Sequence, residues 1–384
     1  MESPRILIAD DQPHVCDALR LLLKSEGFVP EAVSSPSAVM QAVQERSFDV
    51  LLLDLNYARD TTSGGEGLEL LARIRDFDSS LPVVLMTAWA NIELAVQAMQ
   101  GGGRDFVQKP WDNNRLLASL RRHIEEGRVL REKNREIEEA REIQRRLLPA
   151  DLSKVSGCDI QVIWKPAKEV GGDYFDAIPL MDSTTAFCIA DVGGKGLPAA
   201  LLMSNMQASV RALAAGTSSP AEMCRQLNRV VLENTRSERL TTFFYGIVDS
   251  SRQTLSYSNA GHVPPFLVRQ DGHIDRLTKG GIVFGVGSTM EYQEAEMSFK
   301  PGDRLVLLTD GITEAMNGEE EEFGDDRIIR LLYEHRHLGC AQLQEKLLDA
   351  VASFAAEGLR DDAILVTVSL TEGQGEPIKT LRCG

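Results

Sequence analysis

The sequence lacks several features that would place it quickly in a class of protein. No apolar run approaches the roughly 18 residues that a membrane-spanning helix needs. The first residues contain no basic segment followed by an apolar one, so we expect no secretory signal peptide. Lys plus Arg, at 41, are fewer than the 57 Asp plus Glu, which gives a formal net charge of −16. This acidity argues against binding to nucleic acid or to an anionic membrane.

The cysteines form no recognisable metal or redox motif. There are six, they lie far apart, and no pair has the Cys-x-x-Cys spacing or a His partner at zinc-ligand spacing. The sequence therefore predicts a cytoplasmic protein with reduced cysteines, most of them in the core and Cys383 in an exposed tail.

The sequence pattern changes along the chain and predicts separate domains. Residues 1–122 alternate apolar runs with helical stretches, which is typical of an α/β domain with a doubly wound parallel sheet. Residues 123–149 are highly charged and predict a long helical linker. Residues 150–371 combine many short strand-like runs with helical blocks, which favours an α+β domain with a largely antiparallel sheet. Residues 372–384 are predicted to be a disordered tail.

The linker has an incomplete heptad pattern. Leu130, Ile137 and Gln144 form one row with a seven-residue period, but only the last residue of the complementary row is a large apolar one: Gly127, Asn134, Arg141 and Leu148. Such a seam is compatible with a weak coiled coil that joins two chains in a homodimer. A spacer helix exposed on all sides fits the pattern equally well, so both interpretations stay open.

Three Asp residues of the first domain follow predicted strands. Asp10 and Asp11 come directly after one apolar run, and Asp54 follows another. In an open α/β sheet the functional crevice lies at the carboxyl ends of the strands, where Mg²⁺ would relieve the repulsion between these carboxylates. Asp54 could then accept a phosphoryl group, while Lys109 neutralises its charge and Thr87 donates a hydroxyl to it. Each Asp alone could instead belong to a solvated acidic edge.

The segments ILIADD, LLLDL, LMTAW and DFVQKPW resemble the receiver domain of bacterial two-component response regulators. The resemblance implies a five-stranded flavodoxin-like sheet and phosphorylation of Asp54 by a sensor histidine kinase. It also implies four Mg²⁺ ligands, the last through its backbone carbonyl: Asp10, Asp11, Asp54 and Asn56. Thr87 and Phe106 would form a switch pair, and Lys109 would precede a cis Pro110. The loop NYARDTTSGGEG after Asp54 departs from the family because it is longer and lacks the usual Met-Pro.

Four Asp residues of the last domain also lie at predicted strand ends or turns: Asp173, Asp191, Asp310 and Asp361. Glycines flank three of them, which allows the backbone to approach an ion closely. No His or Cys accompanies them, so the oxygen ligands predict Mg²⁺ or Mn²⁺ rather than zinc. Four carboxylates suffice for two adjacent ions that act on a phosphate ester. Any one Asp-Gly pair alone would be interpreted as a turn.

These motifs, with EIQRRLLP, TTFFYGIVD and NAGHVPP, resemble the metal-dependent protein phosphatase (PPM) superfamily, in its branch of sporulation and stress-sigma-factor regulators, the SpoIIE type. The resemblance implies a sandwich of two antiparallel sheets flanked by helices. It implies ligands for two Mn²⁺ or Mg²⁺ ions, one of them a backbone carbonyl: Asp173, Asp191, Val192, Asp310 and Asp361. Asp361 is preferred to its neighbour Asp362. The implied reaction is hydrolysis of phosphoserine or phosphothreonine on a protein by activated water, without a covalent intermediate.

Two side chains near these motifs are open to more than one interpretation. Lys195 could contact the substrate phosphate or lie on a surface turn, and the sequence favours the turn. His262 in NAGH is a candidate general acid, but its motif lies apart from the four Asp residues along the chain. A structural role is therefore favoured for His262, and the sequence assigns no general acid.

The leading hypothesis is a response regulator in which phosphorylation of Asp54 controls a phosphatase through the linker helix. Its protein substrate would be a phosphorylated member of a sigma-factor partner switch, such as an anti-sigma-factor antagonist. The alternative is a non-catalytic regulator whose last domain binds a partner, but such a protein would be expected to lack a metal ligand. A DNA-binding output domain is disfavoured by the acidic charge and by the length of the strand-rich region.

Overall fold

The computed structural model of the chain describes residues 3–57, 65–87, 92–149, 152, 155, 157–181, 183–234, 239–355, 358–371 and 379–383. The central part of the loop after Asp54, residues 58–64, lies outside these ranges. The chain divides into two compact units, Met1–Glu136 and Ile137–Gly384. The boundary between them lies within a single long helix, Asn113–Leu147.

Within its described residues, the first unit alternates five strands with five helices. The strands are β1 Arg5–Ala9, β2 Val29–Val33, β3 Val50–Asp54, β4 Val83–Thr87 and β5 Asp105–Gln108. The helices are α1 Pro13–Ser25, α2 Pro36–Glu45, α3 Gly65–Phe77, α4 Ile92–Gln100 and α5 Asn113–Leu147. The strands pair in parallel in the order β2-β1-β3-β4-β5. This confirms the predicted doubly wound sheet.

Side chains along the central strands point alternately to the two faces of the sheet and are apolar on both, which explains why helices cover both faces. Ile6 and Ile8 of β1 pack in one core with Leu116 of α5, whereas Leu7 packs in a second core with Leu70 of α3. Successive residues of a strand point to opposite faces, so a strand covered on both sides must be apolar throughout. Because β1, β3 and β4 are parallel neighbours, their carboxyl ends meet at one edge of the sheet.

Gly127 has a packing role in the part of α5 that belongs to the first unit. A Cβ atom at this position would lie 2.6 Å from Cγ and 2.9 Å from Cδ of Pro82, which directly precedes β4. The glycine therefore allows the helix backbone to approach the Pro82 ring closely. It does not end the helix, which continues to Leu147.

The second unit contains two sheets. Its strands are β6 Cys158–Lys165, β7 Tyr174–Pro179, β8 Thr184–Val192, β9 Thr241–Asp249, β10 Thr254–Ala260, β11 Phe266–Val268, β12 Ile274–Arg276, β13 Gly280–Gly281, β14 Ala295–Ser298, β15 Arg304–Leu308, β16 Ala363–Leu370 and β17 Lys379–Cys383. Its helices are α6 Leu197–Ala214, α7 Pro220–Asn234, α8 Asp310–Thr313, α9 Gly324–Glu334 and α10 Cys340–Phe354. The first sheet has the order β13-β10-β9-β8-β7, with β14 also on β10, and the second has the order β12-β11-β15-β16-β6-β17.

The two sheets pack face to face and are covered by helices on their outer sides. Phe187 of the first sheet and Leu307 of the second belong to one shared core. The next residue along β15, Leu308, points the other way and packs with Leu343 of α10. Among the described strands of the second unit, only the β10–β13 and β6–β17 pairs are parallel. The predicted sandwich of two largely antiparallel sheets flanked by helices is therefore confirmed.

The end of the chain differs from the prediction of a disordered tail. Residues Lys379–Cys383 form β17, which pairs in parallel with β6 from Ile160 to Trp164. The reason is that the N–H and C=O groups of β6 on the side away from β16 need hydrogen-bond partners, and backbone groups of the tail provide them. Composition alone cannot indicate such a long-range pairing.

None of the helices in the described ranges combines the length and the low polarity that are required to cross a bilayer.

We expect Gly127→Val to destabilise the first unit by about 1–3 kcal/mol, because the new side chain must displace the Pro82 ring. Ala118→Val introduces the same side chain at an exposed position of the same helix, and should cost only a few tenths of that energy. Hydrogen exchange of the β4 amides in a urea series measures both effects. Equal destabilisation by the two variants would contradict the packing role of Gly127.

Candidate active site and phosphoacceptor site

The edge of the first sheet brings three acidic side chains together. Asp10, Asp11 and Asp54 each offer a carboxylate oxygen, and these oxygens lie within 4.8 Å of one another. Asp10 and Asp54 are buried and Asp11 is half-buried. Lys109 follows β5, and its Nζ lies 2.6 Å from Oδ2 of Asp10 and 2.7 Å from Oδ2 of Asp54. The predicted phosphoacceptor, its acidic neighbours and the predicted Lys are thus in one cluster.

The charges of this cluster are compatible with a bound cation. Burial raises the pKa of Asp54 above its ordinary value, although the hydrogen bond from Lys109 opposes the shift. Burial lowers the pKa of Lys109, but its hydrogen bonds to Asp10 and Asp54 outweigh burial and hold that pKa above its ordinary value. One ammonium group faces three carboxyl groups, so the oxygen ligands fit Mg²⁺.

The remaining predicted residues of the first unit lie around this cluster. The backbone N–H of Asn56 donates to Oδ1 of Asp54 over 3.4 Å. Thr87 is fully buried at the end of β4, and Phe106 packs against the core from the neighbouring strand β5. The Lys109–Pro110 peptide bond is cis, as the resemblance implied.

The four Asp residues of the second unit lie at strand ends in both of its sheets. Asp173 directly precedes β7 and Asp191 lies near the end of β8, and these two strands are antiparallel neighbours. Asp310 follows β15 and Asp361 precedes β16, which are also antiparallel neighbours. The end of one strand therefore lies beside the start of the next. Each sheet contributes two carboxylates to the same edge of the sandwich.

The charges of these four residues influence one another. Burial, followed by the negative charges of Asp310 and Asp361, raises the pKa of Asp191 to about 7. Burial and the charge of Asp191 raise the pKa of Asp173 well above its ordinary value. Burial and the charge of Asp361 likewise raise the pKa of Asp310. Carboxylates from both sheets thus influence one another, and the ionised forms of Asp173, Asp191 and Asp310 are disfavoured.

Several features of this cluster fit bound metal ions. Oδ2 of Asp173 is buried and has no hydrogen-bond partner among the residues that the structure describes. A buried polar oxygen of this kind is costly unless a ligand satisfies it. A Cβ atom at Gly172 would lie 2.6 Å from the carbonyl oxygen of Val192, so the glycine leaves space around that predicted ligand. The all-oxygen donor set fits Mg²⁺ or Mn²⁺.

Asp361 and Asp362 have different partners. The carboxylate of Asp362 accepts hydrogen bonds of 2.8 Å from the backbone N–H groups of Ala167 and Gly172. The side chain of Asp361 is 40% exposed, and its Oδ2 lies 2.7 Å from Nζ of Lys195. Asp362 therefore has a structural role, which supports Asp361 as the candidate ligand.

His262 lies closer to the acidic cluster than its position in the chain suggests. Its Nδ1 is 2.7 Å from the hydroxyl of Thr242, and Thr242 is the register partner of Asp191 in β9. Burial lowers the pKa of His262 to about 4. The ring is therefore neutral near pH 7, which supports the structural role favoured by the sequence.

Gln144, which belongs to the heptad row of α5, also contacts this site. Its Nε2 donates to the carbonyl of Gly171 over 2.6 Å, and its Oε1 accepts from the N–H of Gly171 over 3.0 Å. Gly171 lies two residues before Asp173. The carbonyl of Leu147, at the end of α5, accepts from Nε2 of Gln207 in α6. The sequence held one signal of this contact, because Gln144 is the polar member of a heptad row that otherwise contains Leu130 and Ile137.

Comparisons with known proteins agree with the two units. Residues 6–121 match the response regulator receiver domain family, and residues 181–371 match the Stage II sporulation protein E (SpoIIE) family. The chain is 31% identical to the phosphoserine phosphatase RsbU of Bacillus subtilis over 236 residues, which cover 61% of this chain and 69% of RsbU. It is also 31% identical to protein IcfG of Synechocystis over 294 residues, which cover 66% of this chain and 45% of IcfG.

The structure of the SiaA-PP2C domain of Pseudomonas aeruginosa has the same fold as the second unit. The two align with a TM-score of 0.57 and 20% identity, covering 64% of this chain and 99% of that domain. Together with the matched families, these likenesses define a response regulator with a phosphatase-type output domain. The chain belongs to the family that combines an N-terminal receiver domain with a C-terminal SpoIIE-type domain of the PPM phosphatases.

The raised pKa of Asp191 predicts how pH affects the stability of chelator-treated protein. The folded-state pKa of about 7 lies above the ordinary 3.8, so the folded state binds a proton that the unfolded chain releases. Stability should therefore fall as pH rises through this interval and stay lower above it.

Adding Mn²⁺ should consequently raise the melting temperature more at about pH 7.5 than at about pH 5.5. Asp191→Asn should remove most of this difference, whereas Asp11→Asn, which alters only the cluster of the first unit, should retain it. Thermal unfolding with and without Mn²⁺ measures both. An equal effect of Mn²⁺ at the two pH values would contradict this account.

Proposed function

We propose that the protein is a metal-dependent phosphatase of phosphoserine or phosphothreonine in proteins, controlled by phosphorylation of Asp54. The observation that carries the proposal is that Asp191 interacts with Asp173, Asp310 and Asp361 from both sheets, next to Oδ2 of Asp173, which is buried and has no hydrogen-bond partner among the described residues. The likeness to RsbU, which is named a phosphoserine phosphatase, supports the same reaction.

The site residues have separate roles in this proposal. Asp173, Asp191, Asp310, Asp361 and the carbonyl of Val192 would hold two Mn²⁺ or Mg²⁺ ions. Such ions lower the pKa of water and neutralise charge on the phosphoryl group that is transferred. Asp362 fixes the backbone at Ala167 and Gly172 and so keeps the segment before Asp173 in place. His262 stays neutral and bonded to Thr242, so we assign it no proton transfer.

The proposed partners follow from the two domains. A sensor histidine kinase would phosphorylate Asp54, with Mg²⁺ held by Asp10, Asp11, Asp54 and the carbonyl of Asn56. Lys109, Thr87 and Phe106 would respond to the phosphoryl group. The substrate would be a phosphorylated protein of a sigma-factor partner switch, such as an anti-sigma-factor antagonist, and the protein would act in the cytoplasm.

Asp310→Asn should reduce Mn²⁺-dependent release of phosphate from a phosphoserine peptide by at least about 100-fold, because it removes charge that stabilises the transition state. Asp349→Asn makes the same change at an exposed position of α10 and should leave the rate unchanged. Phosphate release with Mn²⁺, with Mg²⁺ and with chelator measures these rates.

If the Asp310→Asn variant kept its metal-dependent turnover, the hydrolysis would have to take place at a different site. A wild-type protein that is inactive with both metals, in its phosphorylated and unphosphorylated forms, would favour the alternative of a partner-binding module.

We further propose that the end of α5 transmits the state of the receiver domain to the phosphatase site. Gln144 bonds both backbone groups of Gly171, close to Asp173, and Leu147 bonds Gln207 of α6. A change in the position of this helix end would therefore displace the segment that carries a candidate ligand. We also propose that α5 joins two chains in a homodimer, to which the apolar side chains of Val129 and Ile143, 61% and 60% exposed, would contribute.

A small acyl-phosphate donor should change the phosphatase rate of the wild-type protein and leave that of Asp54→Asn unchanged. Gln144→Ala should bring the ratio of the rates with and without donor close to one, because the link between α5 and Gly171 is lost. Arg145→Ala, at the exposed neighbouring position, should respond like the wild type. An undiminished donor response in Gln144→Ala would contradict this route.

A further inference from the structure

Arg239 lies against the glycine turn that follows the candidate ligands Asp191 and Val192. A Cβ atom at Gly194 would lie 2.9 Å from Nη1 of Arg239. The N–H of Gly193 donates to the carbonyl of Leu240 over 2.9 Å, which joins the turn to the segment that carries Arg239. Gly194 has a φ of +110°, which L side chains rarely adopt. The turn therefore has no side chain at the point where the guanidinium lies.

The guanidinium of Arg239 is incompletely paired. Its Nη1 is buried and has no hydrogen-bond partner in the described part of the chain. A buried N–H group without an acceptor is destabilising, and a guanidinium is suited to bind a carboxylate or phosphate through two N–H groups at once. A donor in this state, beside a cluster that would hold metal ions, points to an anionic ligand.

Lys195 provides a second cation, and it lies on the glycine turn itself. Its side chain is 47% exposed, and its Nζ lies 2.7 Å from Oδ2 of Asp361. Nζ also donates to the carbonyl of Arg360 over 3.2 Å. The ammonium is already paired with two protein oxygens, whereas Nη1 of Arg239 is not. Of the two cations, Arg239 is therefore the better candidate to bind a ligand.

We propose that Arg239 binds the phosphate group of the substrate and the inorganic phosphate product in the second unit. The ligand class is the dianion of a phosphoserine or phosphothreonine monoester, held through non-bridging oxygens, with Lys195 on the neighbouring glycine turn. Arg239 forms and breaks no covalent bond and supplies no proton. This inference rests on the proposed phosphatase function and names its substrate-binding residue.

The test compares Arg239→Gln and Arg239→Lys with Arg229→Gln, a control at an exposed arginine of α7. The full-length, Mn²⁺-loaded protein is used to measure the KM for a phosphoserine peptide and the competitive inhibition constant of inorganic phosphate. Calorimetry measures the binding of inorganic phosphate independently of turnover. The Mn²⁺ concentration for half-maximal activity and the melting temperature report on the metal site and the fold.

Arg239→Gln should raise the KM, the inhibition constant and the dissociation constant of phosphate by about tenfold or more, because charge-assisted hydrogen bonds are lost. Arg239→Lys should show a smaller rise, since it keeps the charge but not the paired N–H groups. The Mn²⁺ requirement should stay unchanged in both, and Arg229→Gln should match the wild type.

Unchanged phosphate binding in Arg239→Gln, with an active wild type, would overturn the inference and leave the phosphatase function intact. A rise in KM accompanied by an equal rise in the Mn²⁺ requirement would also overturn it, because Arg239 would then only shape the turn. A wild type without metal-dependent turnover would instead refute the proposed function itself.

Discussion

Repulsion between carboxylates at the ends of buried strands is the constraint on which both candidate sites depend. In the first unit the ammonium of Lys109 lies within 2.7 Å of Asp10 and Asp54 and offsets part of the repulsion. In the second unit the ammonium of Lys195 pairs with Asp361, whose side chain is 40% exposed. Asp173 and Asp191 remain buried with raised pKa values. Such an arrangement lowers the stability of the fold unless positive ions join it.

The two folds collect their acidic residues in different ways. In the parallel sheet, Asp10 follows β1 and Asp54 ends the neighbouring strand β3, which runs in the same direction, so crossover helices separate them along the chain. In the sandwich, antiparallel neighbours place the end of one strand beside the start of the next. Gly311 shows how closely these ends approach, because a Cβ atom there would lie 2.0 Å from the carbonyl oxygen of Asp362. Close approach of the backbone thus concentrates charge in a small volume.

The sequence was sufficient to predict features that depend on a local pattern, but it did not predict features that depend on contacts between distant parts of the chain. The apolar run before Asp54 and the glycines around Asp191 are local signals, and they led to both acidic clusters. The hydrogen bonds of Gln144 join residues 27 positions apart, and a polar residue in an apolar heptad row does not indicate which distant residue it will contact. Gly127 looked like an interruption of a coiled-coil row because its neighbour, Pro82, lies in another part of the chain.

Strand β17 has a consequence for the solubility of the second unit. By pairing with β6 from Ile160 to Trp164, it occupies the backbone groups of an apolar strand at the border of the sheet. A chain shortened before Lys379 would leave that row of N–H and C=O groups open to the matching edge of another molecule. The tail thus covers the apolar strand β6 and makes β17 the border of the sheet, and a truncated fragment prepared for crystallisation would be prone to aggregate through β6.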